Sequence, residues 1–432
     1  MFRVGWNFCH RWGDEQNAIS ATCFGWGRAP ILPPMTDFDA ASLALHAATR
    51  GKLDVTPTCE IETADDLSTV YTPGVAAPSR EIAEHPDDAY RYTIKSRTVA
   101  VVSNGSAVLG LGNIGPTAAL PVMEGKCALI KRFGGIDAFP ICIDATTPDE
   151  IVAVTRAIAP TFGAINLEDI ASPVCFDAEA ALERDLDIPV FHDDQHGTAI
   201  VVTAALENAL EVVGKKLGEV KIVLSGTGAA GTAIIKMLHT AGAENIIGLD
   251  SHGAIHPGRD HLNRWKEELA SITNPEGETG GLAEVIRGAD VFIGTSRPGI
   301  LTAGMVRTMS SDPVVFAMAN PVPEISYEEA VGAGAAVMAT GRSDTPNQVN
   351  NLLAFPGVFK GALAVRARDI TPEMKLAAAH AIAGLVSDDE RRPDYVIPSA
   401  LEPRVAGTVA LAVAEAAISC GTARAPQGIT EL

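Results

Sequence analysis

Two glycine-rich loops and two clusters of acidic residues hold the chemistry this sequence can be expected to perform. The pattern G-x-G-x-x-G occurs twice, as GLGNIG (Gly110, Gly112, Gly115) and as GTGAAG (Gly226, Gly228, Ala229, Ala230, Gly231). The second loop directly follows the apolar run VKIVLSG and opens a helical stretch without proline, which is the context of a dinucleotide site. Gly226 permits a tight turn, Gly228 lets the backbone approach a pyrophosphate, and Gly231 lets helix and strand pack closely. The helix N-terminus adds unpaired N–H groups for phosphate. NIIGLD ends in Asp250, 24 residues after Gly226, close to the ~20 expected of an acid that holds a ribose hydroxyl. The first loop runs into Pro116 and Pro121, so no clean phosphate-binding helix is expected there. It reads as a turn that needs flexible backbone, and it leads to Lys126.

NLEDI supplies Glu168 and Asp169, and FHDDQHGTA supplies Asp193 and Asp194 after the apolar run IPVF. Carboxylates bunched at the ends of apolar runs do not resemble a solvated face. As hard oxygen ligands they suit Mg²⁺ or Mn²⁺. Acidic residues also cap helices, so spacing alone leaves both readings open. His192 and His196 stand four apart, but no third soft ligand supports a zinc site.

These groups need elements to position them. TVAVVS (98–103) and IDAFPICI (136–143) read as strands, and PDEIVAVTRAIA (148–159) as a helix with Pro148 near its start. A helix over 198–213 stops at Gly214. From 220 onward strands alternate with helices: 220–226, 245–250, 289–294, 314–319 and 335–341 are strands, and 229–242 is a helix. That rhythm predicts an α/β fold with a doubly wound parallel sheet. Residues after about 360 are helical and rich in alanine. Thr36 or Asp37 is expected to cap a first helix.

Composition narrows the function. The chain has 432 residues, a 47% hydrophobic share and a net charge of −20. It is long enough for two or three domains and too acidic to favour nucleic acid or an anionic membrane. No apolar run is long enough to span a membrane, and the N-terminus lacks the apolar core of a secretory signal. Seven cysteines without a C-x-x-C pair read as reduced thiols of a cytoplasmic protein. Three of the four tryptophans fall within residues 1–34, a stretch without clear periodicity.

The sequence resembles the malic enzyme family in its short bacterial form. The motifs are YTPGVA (71–76), VLGLGNIGPTAALPVMEGK (108–126), NLEDI (166–170), FHDDQHGTA (191–199), ANPVPE (319–324) and TGRSDTPNQVNNLLAFPG (340–357). The motifs run from 71 to 357, and the resemblance covers residues 40–420, nearly the whole chain. The resemblance implies oxidative decarboxylation of (S)-malate to pyruvate and CO₂, with reduction of NAD or NADP and a divalent metal, Mg²⁺ or Mn²⁺. It implies Tyr71 as general acid, Lys126 as general base, and Asp193 as the carboxylate beside that lysine. Glu168, Asp169 and Asp194 match the metal ligands. Asn320, Asn350 and Asn351 fall at the substrate and nicotinamide side. It also implies a substrate domain (35–197), a Rossmann-type domain (198–360), C-terminal helices (361–432) packing back on the first, and a homodimer or higher homo-oligomer.

The implied chemistry needs these groups. The C2 hydroxyl loses a proton as hydride leaves C2, the C4 carboxylate leaves as CO₂, and the enolate of pyruvate is protonated at C3. A lysine acts as base only with its pKa drawn toward neutrality, which burial beside a cation would do. Two other readings use fewer of the residues: an oxaloacetate decarboxylase with an idle dinucleotide loop, and a dinucleotide sensor without catalysis. Asp250 favours NAD, whereas Ser251, His252 and Arg259 could receive the 2′-phosphate of NADP. Residues 1–34 match none of the motifs and are expected to be an upstream start choice or a dispensable extension.

Overall fold

The computed structural model of the protein describes residues 38–108 and 110–432. The expected extension, 1–34, and the expected caps Thr36 and Asp37 lie outside the described residues. Of two units, one ends at Arg50 and contains the helix Phe38–Thr49. The other runs from Gly51 to Leu432 and contains everything below.

Four parallel strands form the first sheet, β1 (Thr98–Ser103), β2 (Asp137–Cys142), β3 (Ala164–Leu167) and β4 (Val190–His192), in the order β2-β1-β3-β4. Every residue of β1 is buried. A strand covered on both faces reads as a continuous apolar run, and TVAVVS does so with β-branched residues that fit the pleat. Val99 pairs with Ala138 on one side and Ala164 on the other.

The second sheet has six strands: β5 (Lys221–Ser225), β6 (Asn245–Asp250), β7 (Gly253–Ala254), β8 (Val291–Gly294), β9 (Val314–Ala317) and β10 (Val337–Thr340). Their order is β10-β9-β8-β5-β6-β7, parallel except for β6 with β7. The direction of winding reverses between β5 and β8. In open α/β sheets a ligand crevice forms outside the carboxyl ends of the strands at such a point.

The helix Asp193–Val213 lies in the core between the sheets. Its Ile200, Val202 and Ala205 share one apolar cluster with Val99 and Val101 of β1 and with Ile222 and Leu224 of β5. It ends at Gly214, whose φ of 65° places it in the left-handed region that favours glycine. The helix starts five residues before the expected 198, so Asp193 and Asp194 are its first turn, directly after β4. The partial positive charge of a helix N-terminus stabilises carboxylates there.

A helix also begins at the first glycine loop, contrary to expectation. Gly115–Leu129 accommodates Pro116 in its first turn, where a missing N–H breaks no bond, and holds Pro121 in its interior. The flexible-turn reading of the loop itself fits the structure: Gly110, Gly112 and Gly115 all have φ between 72° and 75°. Helices Phe355–Ala364, Pro372–Ala383 and Val405–Ser419 close the chain. The second packs on Asp193–Val213, and the first packs against the turn Ile130–Gly134 that continues the Lys126 helix.

Candidate functional site

The carboxylates come together because three elements end at one place. β3 ends just before Glu168 and Asp169, β4 ends just before Asp193 and Asp194, and the Gly115–Leu129 helix brings Lys126 beneath them. Lys126 Nζ lies 2.8 Å from Glu168 Oε1 and 2.5 Å from Asp193 Oδ2, and sits 4.2 Å from the centre of the Phe355 ring. Asn351 Nδ2 donates to the same Asp193 oxygen at 2.5 Å. Asn166 Nδ2 donates to Glu168 Oε2 at 2.8 Å. Asp169 has a φ of 54°, a conformation L residues rarely adopt. It is pinned there by its N–H, which donates to Asp194 Oδ2 at 2.7 Å, and by its carbonyl, which accepts from Ala107 N–H at 3.0 Å. Strained backbone of this kind persists where its surroundings over-determine it, often at functional sites.

Charge in this cluster is one-sided. Burial pushes the Glu168 carboxyl well above its ordinary pKa; Lys126 pulls it down, and Asp194, Asp193 and Asp169 push it further up. Burial opposes the ammonium of Lys126, but the charges of Asp193 and Glu168 outweigh it and hold the lysine well above its usual range. That direction is opposite to the one a general base needs. Asp193 Oδ1 is buried and without a hydrogen-bond partner.

A divalent cation fits this donor set by its chemistry. Three buried carboxylates, Glu168, Asp169 and Asp193, and the partly exposed Asp194 gather around a single lysine, one carboxylate oxygen is orphaned, and hard oxygens are what Mg²⁺ and Mn²⁺ take. Among the described residues, however, no three His, Cys, Asp or Glu side chains already stand as a cage. Lys126 occupies the space between Glu168 and Asp193, and His192 Nε2 stands 3.2 Å from Asp194 Oδ2.

Next to the cluster opens a cavity of about 690 Å³, lined by Asp194, Asn320, Asn350, Asn351, Gly110 and Gly112, and by Ala229 and Ala230 of the second loop. Asn350 Oδ1 accepts from Leu352 N–H at 2.9 Å, which fixes its orientation. Tyr71 is not part of this wall. It ends the short helix Ala64–Val70 and is 67% exposed.

A second cavity, of about 950 Å³, lies at the reversal between β5 and β8 and is lined by Gly226, Thr227, Gly228, Asp250, Lys266 and Arg297. Gly226 has a φ of 107°, and a Cβ there would stand 2.6 Å from Thr295 O. Thr295 Oγ1 in turn donates to Gly226 O at 2.7 Å, joining the loops after β5 and β8. A Cβ on Gly231 would run into Gly226 O, so helix and turn touch as the dinucleotide fold requires. Asp250 is already engaged: Arg259 donates to both its oxygens at 2.9 and 2.6 Å, Lys266 Nζ at 2.6 Å, and His252 N–H at 2.8 Å. Burial opposes its charge, but Arg259 and Lys266 outweigh that and hold it far below the usual carboxylate range. Its charge is compensated, so it presents little repulsion to a 2′-phosphate.

Several partners have no role assigned from the sequence. Glu324 is fully buried, and its carboxylate accepts from Ser296 N–H at 2.9 Å and Ala319 N–H at 3.0 Å, tying the loops after β8 and β9 beside Asn320. Glu179, Gln195 and His192 form a buried chain behind Asp194. A glutamate inside an amphipathic helix looks like any other until its neighbours are known.

Comparison with known proteins places this geometry. Residues 50–183 match the family description "Malic enzyme, N-terminal domain", and residues 195–418 match "Malic enzyme, NAD binding domain". The chain is 57% identical over 374 residues to a NAD-dependent malic enzyme of Geobacillus stearothermophilus, covering 87% of this chain and 78% of that one. It is 55% identical over 384 residues to a bifunctional malic/malolactic enzyme of Bacillus subtilis, covering 89% and 94%. The crystal structure of a malic enzyme from Pyrococcus horikoshii superposes with a TM-score of 0.84 at 50% identity, covering 88% of this chain and 90% of that one.

Proposed function

The chain belongs to the malic enzyme family, and we propose that it oxidises (S)-malate and decarboxylates it to pyruvate and CO₂, reducing NAD or NADP. The observation that carries this reading is the shared cavity. Ala229 and Ala230 of the dinucleotide loop line one wall, and Asp194, Asn320, Asn350 and Asn351 line the rest. A loop kept for a dinucleotide argues against a decarboxylase without redox activity.

Asn320 and Asn350 offer amide donors to the malate carboxylate and hold C2 near the dinucleotide loop. Lys126 takes the C2 hydroxyl proton. Asp193, fixed by Asn351, holds the lysine in position to do so. Glu168, Asp169 and Asp194 would hold a divalent cation, which supplies positive charge for the malate dianion and draws on the carboxylates that now keep Lys126 protonated. NAD or NADP supplies the hydride acceptor. Tyr71 is assigned to protonate C3 of the enolate on the family pattern alone, since its surroundings in the folded chain do not place it at the cavity.

The remaining parts of the reading follow the family. Residues 35–197 make the substrate and metal domain, 198–360 the Rossmann-type domain, and 361–432 helices that pack back on the first. The enzyme works as a homodimer or higher homo-oligomer in the cytoplasm, and among the described residues no helix is long and apolar enough to cross a membrane. The test is an assay with L-malate, Mn²⁺ and each cofactor in turn. Reduced nicotinamide and pyruvate are expected in equal amounts; none with either cofactor sinks the proposal.

A further inference from the structure

The segment that carries Asn320 is fastened by a side chain with no part in the scheme above. Glu324 is fully buried. Its Oε1 accepts from Ser296 N–H at 2.9 Å, in the loop after β8, and its Oε2 accepts from Ala319 N–H at 3.0 Å, in the loop after β9. The backbone repeats the tie: Gly299 N–H donates to Pro323 O at 3.2 Å, and Leu301 N–H donates to Glu324 O at 3.1 Å. Room is kept for the carboxylate. A Cβ on Gly294, the last residue of β8, would stand 2.6 Å from Glu324 Oε1.

A carboxylate taken out of water is costly unless its oxygens are used as acceptors. Both are used here, each on one N–H of a different loop. Those loops form the walls of the two cavities. Ser296 lines the dinucleotide cavity and the cavity beside the carboxylate cluster alike, and Ala319 and Asn320 line the second. The span of one carboxylate thus sets how far Ser296 stands from the backbone that bears Asn320. An apolar side chain could fill the same space but could not fix that distance.

We propose that Glu324 is a positioning residue: it sets the spacing of the loops after β8 and β9, and so holds the Asn320 amide where it meets malate beside the dinucleotide. The proposal rests on the reading of Asn320 as a substrate-binding amide.

Glu324→Gln tests it at nearly constant volume. An amide has a single oxygen, so either orientation turns its NH₂ group toward one of the two N–H groups. The loops must then part, and a displacement of about 1 Å is enough to cost ~10²-fold in a positioned site. L-malate is titrated calorimetrically into the whole enzyme loaded with Mn²⁺ and the reduced dinucleotide, where no turnover occurs. Its binding is expected to weaken about 10-fold or more in the variant, with a matching rise in KM. ADP-ribose is expected to bind both proteins alike, because the tie between Gly226 and Thr295 is untouched. A merely structural role for Glu324 would weaken both ligands together or neither.

Asn320→Ala adds the second readout. If Glu324 acts through Asn320, Glu324→Gln costs little further malate affinity in the Asn320→Ala background. Should Glu324→Gln fail to fold, Glu324→Asp keeps the charge but is one methylene too short to reach both loops, and the same loss of malate affinity is expected. Asn320→Ala with the malate affinity of the wild type overturns the reading of Asn320 and this proposal with it. A weakened Asn320→Ala beside an unaffected Glu324→Gln, or losses that add in the double variant, overturn this proposal alone.

Discussion

Lys126 is proposed as the general base, yet its carboxylate neighbours hold it in the protonated form. Its Nζ lies within 2.8 Å of Glu168 and Asp193, both buried, and those charges favour the ammonium. On the proposed roles, removing a carboxylate's charge by coordination would weaken that hold, which would link proton transfer and cation binding at this residue. Lys126→Ala is expected to lower malate oxidation ~10²-fold or more, the usual range for a general acid or base. Steady-state reduction of the cofactor measures it, and near-normal turnover would show that another group takes the hydroxyl proton. Tyr71→Phe separates the two halves of the reaction: turnover should fall ~10²-fold while Mn²⁺ affinity stays as it is, because Tyr71 has no place among the ligands. Equal losses in turnover and Mn²⁺ affinity would assign Tyr71 to the binding of the cation instead.

At the scale of elements, the strands were legible because parallel strands buried on both faces read as apolar runs. TVAVVS became β1 without adjustment, and NIIGLD became β6. The helix after β4 was legible only in part. Its apolar period starts near 198, but its first turn is built from Asp193, Asp194, Gln195 and His196, whose polarity conceals a helix start that the site itself requires. Pro116 misled in the opposite direction, since proline in a first turn permits a helix. Glu179, Gln195 and Glu324 were illegible because their roles depend on neighbours 13 or more residues away in the chain or on loops from other strands. The second glycine loop offers a test at this scale. Gly226→Ala would force an L side chain to a φ of 107° and press its Cβ against Thr295 O. The loops after β5 and β8 must then separate, and KM for the dinucleotide is expected to rise about 10-fold or more. An unchanged KM, with intact circular dichroism, would show that this turn does not hold the cofactor.

At the scale of the whole molecule, a protein with a net charge of −20 must bind a dianion, so its attraction for substrate has to be local. The same surplus of carboxylates acts on stability. Glu183 is mostly buried beside Glu179 and Asp369, and burial first, then the charge of Glu179, pushes its pKa from 4.5 up to about 7 against the pull of Lys375. The sign follows from proton counting. Below pH 4.5 the group is protonated folded and unfolded, and it costs nothing. Between 4.5 and about 7 the folded chain keeps a proton that the unfolded chain has lost, so stability falls as pH rises. Above about 7 the buried carboxylate is charged and the full cost is present, at most about 3 kcal/mol at 1.36 kcal/mol per pKa unit. Glu183→Gln removes the titration. The variant is expected to be more stable than the wild type at pH 8, with the gap closing toward pH 5. Urea unfolding at the two pH values measures it. A gap of the same size at both would mean that the glutamine stabilises by packing, and that Glu183 is already ionised in the folded protein at pH 5.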